Sequence, residues 1–284
     1  MAVPDQAPSA PPKLAIVAGG GDLPVRLVEA CRRQGRDFHV FGLVGSAEPR
    51  PSDGIADDWL SIGSVGLLLS RLRATGCRQV VMAGNVARPD FARLRLDWKG
   101  LRVLPRVLTA ARRGDDSLLR CLVTIFEEEG FTVIGADAVL DAGHLLDEGP
   151  LGAVLMDEAA TADLERAIEV VEALGRVDVG QGAVVADGNV LAVEAVEGTD
   201  RMLARVADLR AGWSRRAGLL LKLPKPQQER RVDLPVIGVA TVEGVAAAGL
   251  AGIAGAAGAT LVMDRQAVAA RADALGVFVV GIAR

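Results

Sequence analysis

The chain has 284 residues, 50% of them hydrophobic, and a net charge of −4 from 32 Lys and Arg against 36 Asp and Glu. That is enough apolar surface for two ordinary domains, without the basic field that collects nucleic acid. With no Tyr and only 3% aromatic residues, stacking platforms for bases are also scarce, so nucleic acid is not an expected partner.

Residues 1–12, MAVPDQAPSAPP, hold four prolines and no apolar helical stretch, and read as a disordered tail rather than a signal peptide. KLAIVAGGGDLPVRLVEACRRQG follows. Leu14 to Ala18 suits a buried parallel strand, and Leu23, Leu27, Val28 and Cys31 fall at helical spacing beyond the glycines. Gly19, Gly20 and Gly21 permit positive φ and close backbone approach, and Pro24 suits a first helical turn, whose N–H groups attract anions. The turn is a candidate phosphate cradle, with Asp22 at its end; packing of strand against helix is the plainer role for the same glycines. A dinucleotide fits poorly: Pro24 replaces the third glycine of G-x-G-x-x-G, and the second strand, FHVFGLVG, ends without the acid that would hold a ribose. Glu48 comes later, in a proline-rich loop.

Further strand-like runs, WLSIG and QVVMAGNV, alternate with helical patterns such as VGLLLSRLRATG and predict a parallel sheet covered by helices. AGNVARPDF places Asn85 and Arg88 at a strand's carboxyl end, where open α/β sheets bind ligands; a turn closed by Pro89 is the alternative. Two helices are predicted next, VLPRVLTAARRG and DDSLLRCLVTIFEEEG, the second capped by Asp115 or Asp116, then a returning strand in FTVIGADAVL. The loop-forming stretch DAGHLLDEGPLG marks a domain junction, giving an N-terminal domain over 13–142, a linker over 143–152 and a C-terminal domain over 153–284.

The second half opens with a periodic helix, DEAATADLERAIEVVEALG. In GQGAVVADGNVLAVEAVEGTD, Asp187-Gly188 between two apolar runs signals a tight hairpin. AGLLLKL, PVIGVAT, GIAG, ATLVMD, a helix over Arg265 to Leu275 and VFVVGI complete a mixed α/β pattern. Val245 to Met263 is uncharged and long enough to span a bilayer, but its glycines divide it into a helix end and two strands.

Cys31, Cys77 and Cys121 lack any C-x-x-C pairing and read as reduced, buried thiols of a cytosolic protein. His39 and His144 are too few for a Cys/His zinc site, so a metal would take oxygen ligands, which favours Mg²⁺ or Mn²⁺. The chemistry concentrates in KLPKPQQERRVDLPVIG, where Lys222, Lys225, Glu229, Arg230, Arg231 and Asp233 lie on a loop stiffened by Pro224, Pro226 and Pro235. Such cations can neutralise phosphate while the acid holds a metal or activates water; a solvated charged face is the plainer reading. The adjacent cations are expected to keep Asp233 ionised. Glycines flank Gln181 and permit close backbone approach, and Glu194, Glu197, Thr199 and Asp200 offer metal ligands or helix caps.

AGGGDLP, AGNVARPDF, GDDSLLR, DVGQGAVV, AVEAVEGTDRML, LPKPQQERRVDLPVIG and TVEGVAAAGLAGIA, in that order from Lys13 onward, closely resemble the LpxI-type UDP-2,3-diacylglucosamine pyrophosphatases of bacterial lipid A biosynthesis. The resemblance implies hydrolysis of UDP-2,3-diacylglucosamine to UMP and 2,3-diacylglucosamine 1-phosphate, by water attack on the β-phosphorus and with a divalent cation. It further implies a cytoplasmic, two-domain homodimer peripheral to the inner membrane, with lipid bound between the domains. Asp233 in RVDLP matches the family's catalytically important acid. The expected fold is α/β, an N-terminal Rossmann-like parallel sheet domain plus a C-terminal mixed α/β domain. The candidate catalytic residues are Asp233, Lys222 and Lys225. Candidate substrate contacts are Gly19, Gly20, Gly21, Asp22, Asn85, Arg88, Gln181, Gly182, Thr199 and Arg230, and candidate metal ligands are Asp233, Glu194 and Asp200. A nicotinamide-dependent oxidoreductase and a non-catalytic nucleotide- or lipid-binding protein are the alternatives.

Overall fold

The computed structural model describes residues 11–45, 54–86, 94–140, 142–226 and 228–284. The chain divides into two compact units, Met1–Asp141 and Ala142–Arg284.

In the first unit, β1 (Leu14–Ala18), β2 (Phe38–Val44), β3 (Asp58–Ser61), β4 (Gln79–Ala83) and β5 (Thr132–Val133) form a parallel sheet in the order β3-β2-β1-β4-β5. That is the strand order of a Rossmann-type sheet, with its topological switch point at the carboxyl ends of β1 and β4. All five residues of β1 are buried, which is why the segment is a continuous apolar run rather than an alternating one. Helix α1 (Leu23–Gln34) buries Leu27, Val28 and Cys31, the residues at helical spacing, and stops at Gly35 in the left-handed conformation (φ 61°). Helices α2 (Val65–Ala74), α3 (Trp98–Ala111) and α4 (Asp115–Glu128) complete the unit. Asp97 caps α3 by accepting from the Gly100 amide at 2.7 Å. Gly114 is the cap residue of α4, which leaves Asp115 and Asp116 inside its first turn rather than before it. Cys31 and Cys77 are buried as expected, whereas Cys121, on α4, is half-buried.

In the second unit a six-stranded sheet runs β6 (Gly149–Pro150), β13 (Phe278–Ile282), β11 (Gly252–Ala256), β9 (Leu219–Lys222), β7 (Gly182–Ala186), β8 (Asn189–Val193). Its three middle-left strands, β13, β11 and β9, are parallel; β6, β7 and β8 join antiparallel. A separate pair, β10 (Val236–Ile237) and β12 (Leu261–Val262), lies parallel. Side-chain alternation sorts the core onto two faces. Val184, Leu220, Ile253 and Val279 pack with α6 (Gly198–Leu209), α7 (Val239–Ala247) and α8 (Arg265–Leu275). Ala183, Leu219, Leu221 and Ala254 pack with α5 (Glu158–Arg176). Asp187 (φ 51°) and Gly188 (φ 76°) form the hairpin turn between β7 and β8, and buried Asp163 accepts both of their amides, at 3.0 and 2.7 Å.

Residues 143–152, expected as a linker, are built into this unit. Leu145 bridges to Leu261, buried Leu146 donates its amide to Thr260 O at 2.9 Å, and β6 pairs with β13. Val245–Met263 resolves into the end of α7, β11 and β12, and among the described residues no helix is long and apolar enough to cross a membrane. After α6 the buried Arg210 donates to Ala217 O and Arg215 O and stacks on the Trp213 ring at 4.6 Å.

Candidate active site

Lys222 ends β9 and shares a sheet face with Leu220, so it emerges beneath the first turn of α6. Its neighbours in register are both glycines, Gly182 on β7 and Gly255 on β11, where a Cβ would meet Glu194 Oε2 and Thr260 Oγ1. Only 5% exposed, it donates from Nζ to Thr199 Oγ1 at 2.9 Å and to Val236 O at 3.1 Å. The Thr199 hydroxyl in turn donates to Glu194 Oε1 at 2.8 Å, and Glu194 Oε2 is buried with no hydrogen-bond partner. Burial holds the Lys222 ammonium below the ordinary lysine range, opposed by the negative fields of Glu194, Asp233 and Asp200. Lys222 is thus a buried cation in the field of three carboxylates, one of which has an oxygen free to accept from a donor or a cation.

Asp233 lies in the turn that follows, its amide donating to Glu229 O at 3.2 Å. Gln228 Nε2 donates to Asp233 Oδ2 at 2.5 Å and to Gln181 Oε1 at 3.2 Å, while Gln228 Oε1 accepts the Lys225 amide at 2.7 Å. One amide side chain thus ties the acid, the glycine-flanked Gln181 and the proline-stiffened loop together. Burial raises the Asp233 carboxyl above the ordinary aspartate value, and the Gln228 bond, Lys225 and Lys222 offset only part of it. The expectation that adjacent cations set its ionisation is corrected: desolvation is the largest influence, because the cationic run does not converge on the acid. Arg231 turns to Glu229 at 2.8 and 2.9 Å, Arg230 is exposed, and Lys225 Nζ pairs with Asp178 at 2.5 Å.

The glycines beside Gln181 admit protein rather than ligand. A Cβ on Gly180 would stand 2.0 Å from Glu194 O, and one on Gly182 would stand 2.7 Å from Glu194 Oε2. They let the chain carrying Glu194 cross close enough for its carboxylate to reach Thr199. Asp200 sits exposed in the first turn of α6, whose cap residue is Glu197, so Asp200 is not the cap. Among the described residues no three His, Cys, Asp or Glu side chains gather as a metal-ligand set, so Asp233, Glu194 and Asp200 do not form one; they surround Lys222 instead.

A second set of candidate residues lies in the first unit, at its switch point. Gly20 and Asn85 exchange backbone hydrogen bonds, each of 2.8 Å, and the Gly19 amide donates to Ala83 O at 2.8 Å. A Cβ on Gly19 would meet Asn85 O at 2.5 Å, and one on Gly84 would meet Gly20 O at 2.4 Å. Gly19 and Gly20 are therefore spent on joining β1 to β4. What the turn offers an anion begins at Gly21 (φ 88°), beneath the Asn85 side-chain amide, and continues into α1, where Asp22 makes no side-chain cap. Arg88 lies outside the described residues.

Two family models match, the LpxI N-terminal domain over residues 13–142 and the LpxI C-terminal domain over 147–280. The chain belongs to the LpxI family. The UDP-2,3-diacylglucosamine pyrophosphatase LpxI of Caulobacter vibrioides is 52% identical over 275 residues, covering 95% of this chain and 97% of that protein. Neither the oxidoreductase nor the non-catalytic alternative finds support in these matches. Among solved structures, N5-carboxyaminoimidazole synthetase from Staphylococcus aureus is similar over 62% of this chain and 38% of its own, at 14% identity and a TM-score of 0.23. The biotin carboxylase subunit of pyruvate carboxylase gives 62%, 35%, 17% and 0.23 in the same order. The chain thus spans well under half of either, and neither likeness bears on function.

For this LpxI-family chain, the sequence singles out Lys222, Lys225, Asp233, Gln181, Gly182, Thr199 and Glu194, and the structure places them in or beside two hydrogen-bond sets. One joins Lys222, Thr199 and Glu194, the other Lys225, Gln228, Asp233 and Gln181, and the field between Lys222 and Asp233 couples them. It leaves Arg230 and Arg231 outside both. Gln228 and Asp178 were not singled out; the signal for Gln228 was a polar amide between Pro226 and the charged run, and Asp178 carried none until its contact with Lys225 was seen.

Proposed function

We propose that this chain hydrolyses the pyrophosphate of UDP-2,3-diacylglucosamine to UMP and 2,3-diacylglucosamine 1-phosphate in lipid A biosynthesis. Identity of 52% along 95% of the chain with a pyrophosphatase of that substrate carries the reading. Asp233, its carboxyl raised by burial above the ordinary aspartate value, accepts a proton from the attacking water, while Lys222 and Lys225 neutralise charge that builds on the phosphoryl oxygens. Water adds to the β-phosphorus, the bond from that phosphorus to the bridging oxygen breaks, and UMP leaves with the bridging oxygen. Reaction in ¹⁸O-water should label the lipid phosphate; label in UMP would move the attack to the other phosphorus.

A divalent cation, Mg²⁺ or Mn²⁺, fits as an ion held jointly by protein and substrate. Asp233 and the unpartnered Oε2 of Glu194 are the oxygen donors at hand, and the substrate phosphates complete the oxygen shell such ions take. When bound it would add neutralising charge at the phosphates. EDTA should abolish UMP release and Mg²⁺ restore it; undiminished release in EDTA would remove the ion from this reading. Gln181, Thr199 and Arg230 are the proposed substrate contacts of the second unit, and Gly21, Asp22 and the Asn85 side-chain amide form a separate candidate anion site in the first. A cytoplasmic homodimer is proposed as the working form, and light scattering of the purified protein tests the dimer. The decisive assay is UMP release from the diacylated substrate, where Asp233→Ala should lower turnover by about 10²-fold or more in a folded protein. A folded Asp233→Ala variant with near-normal turnover would remove that residue from the mechanism.

A further inference from the structure

A diacylated substrate sits in a lipid bilayer, and among the described residues this chain has no helix able to cross one. On the proposed activity, some outer surface must therefore meet the membrane. Helix α3 presents Trp98, Leu101, Arg102, Pro105, Arg106 and Thr109 on one exposed stripe, spaced three and four residues apart. Trp98 is 73% exposed and Leu101 62%, an uncovered aromatic and aliphatic pair one turn apart. Leu67, 46% exposed, sits where α2 meets the start of α3, its amide donating to Asp97 Oδ2 at 3.0 Å. The Arg102 guanidinium lies 6.0 Å from the Trp98 ring. Behind the stripe an open groove of about 670 Å³ separates α3 from α4, with Arg106, Arg113 and Arg120 and the hydroxyls of Thr109, Ser117 and Thr124 on its walls and no acid among its lining residues. Arg106 is paired with Glu128 at 2.7 and 2.9 Å, and Arg120 with Asp116, so these two already carry carboxylate partners.

We infer that this face of α3, with the groove beside it, docks the protein onto an anionic phospholipid surface. Trp98 and Leu101 enter at headgroup depth, where an indole ring and a branched aliphatic chain are both favoured. The arginines meet lipid phosphates, for which guanidinium is suited by its planar fork of donors. Neither part suffices alone: the apolar pair is small, and each surface cation adds only about 1 kcal/mol near an anionic leaflet.

The inference rests on the proposed lipid substrate, and one experiment separates the two. Full-length protein is floated with vesicles of phosphatidylglycerol and phosphatidylcholine or of phosphatidylcholine alone, and UMP release is measured in parallel on detergent-dispersed substrate. The wild type should float with anionic vesicles, less so at high salt, and hardly with neutral ones. Trp98→Ser with Leu101→Ser, and separately Arg102→Glu with Arg113→Glu, should each reduce flotation by about tenfold while leaving the melting temperature and detergent-dispersed turnover unchanged. Undiminished flotation of both folded variants, or a wild type that ignores anionic vesicles, overturns the docking face. So does a variant that converts a dimer to a monomer, which would make this face a contact between copies. Absence of UMP release by the wild type in detergent overturns the activity instead, whatever the vesicles show.

Discussion

At the scale of single residues, the proposed site holds two groups in environments that oppose their charge. Burial raises the Asp233 carboxyl and lowers the Lys222 ammonium, so each is nearer its neutral form than its type would be in water. For Asp233 the native state binds the proton more tightly than the unfolded chain. The stability it contributes is complete below the ordinary aspartate value and is lost as pH rises through its raised native value. Asp233→Asn keeps the shape without the charge, and should hold or raise the melting temperature at neutral pH while turnover falls by about 10²-fold. A lowered melting temperature with normal turnover would reverse that assignment. The acid limb of kcat/KM should lie above the ordinary carboxylate range, because the base works only when ionised; a limb near pH 4 would show an unshifted acid. Lys222→Met differs in sign. It removes the cation that Thr199 and Glu194 enclose, leaving a buried carboxylate uncompensated, and should cost about 3 kcal/mol as well as activity. Chemical denaturation checks this, and an unchanged midpoint would mean that the site relaxes around Glu194 without the cation.

At the scale of elements, much was legible. Apolar runs, helical spacing and the Asp187-Gly188 hairpin followed from periodicity and turn chemistry, which are local. What was not legible is set by contacts distant in sequence. Gly180 and Gly182 look like a ligand loop from their neighbours alone, yet the backbone of Glu194 is what approaches them. Gly19 and Gly20 likewise serve Asn85 across the sheet. Adjacent charges around Asp233 can be read from the sequence, while the burial that dominates its environment cannot. Gly180→Ala tests the crossing: with a Cβ 2.0 Å from Glu194 O, the two segments must separate, which should lower stability and turnover together. Normal values of both would mean that the loop relaxes freely.

At the scale of the whole molecule, the division falls at residue 141, ahead of the segment that composition marked as a connection. Gly, Pro and acidic residues suggested a loop, but Leu146, 1% exposed, is a core residue, and Leu151 donates its amide to Val279 O at 2.7 Å. Arg265 adds a bond to Leu145 O at 2.9 Å. A fragment of residues 142–284 should therefore melt at least about 2–4 °C above one of 153–284, the shift expected for about 1 kcal/mol in a domain approaching about 150 residues. Equal melting temperatures would return those residues to the role of a tether.

The stacking of Arg210 on Trp213 gives the second unit an optical label of its own. With no tyrosine and three tryptophans in the chain, near-ultraviolet absorption and emission come almost wholly from Trp59, Trp98 and Trp213, and only the last belongs to residues 142–284. Held 4.6 Å beneath a buried guanidinium, its indole will shift its emission when that cation leaves on unfolding. Replacing the other two by phenylalanine leaves one fluorophore, so the melting of this half can be followed by colour in the intact chain.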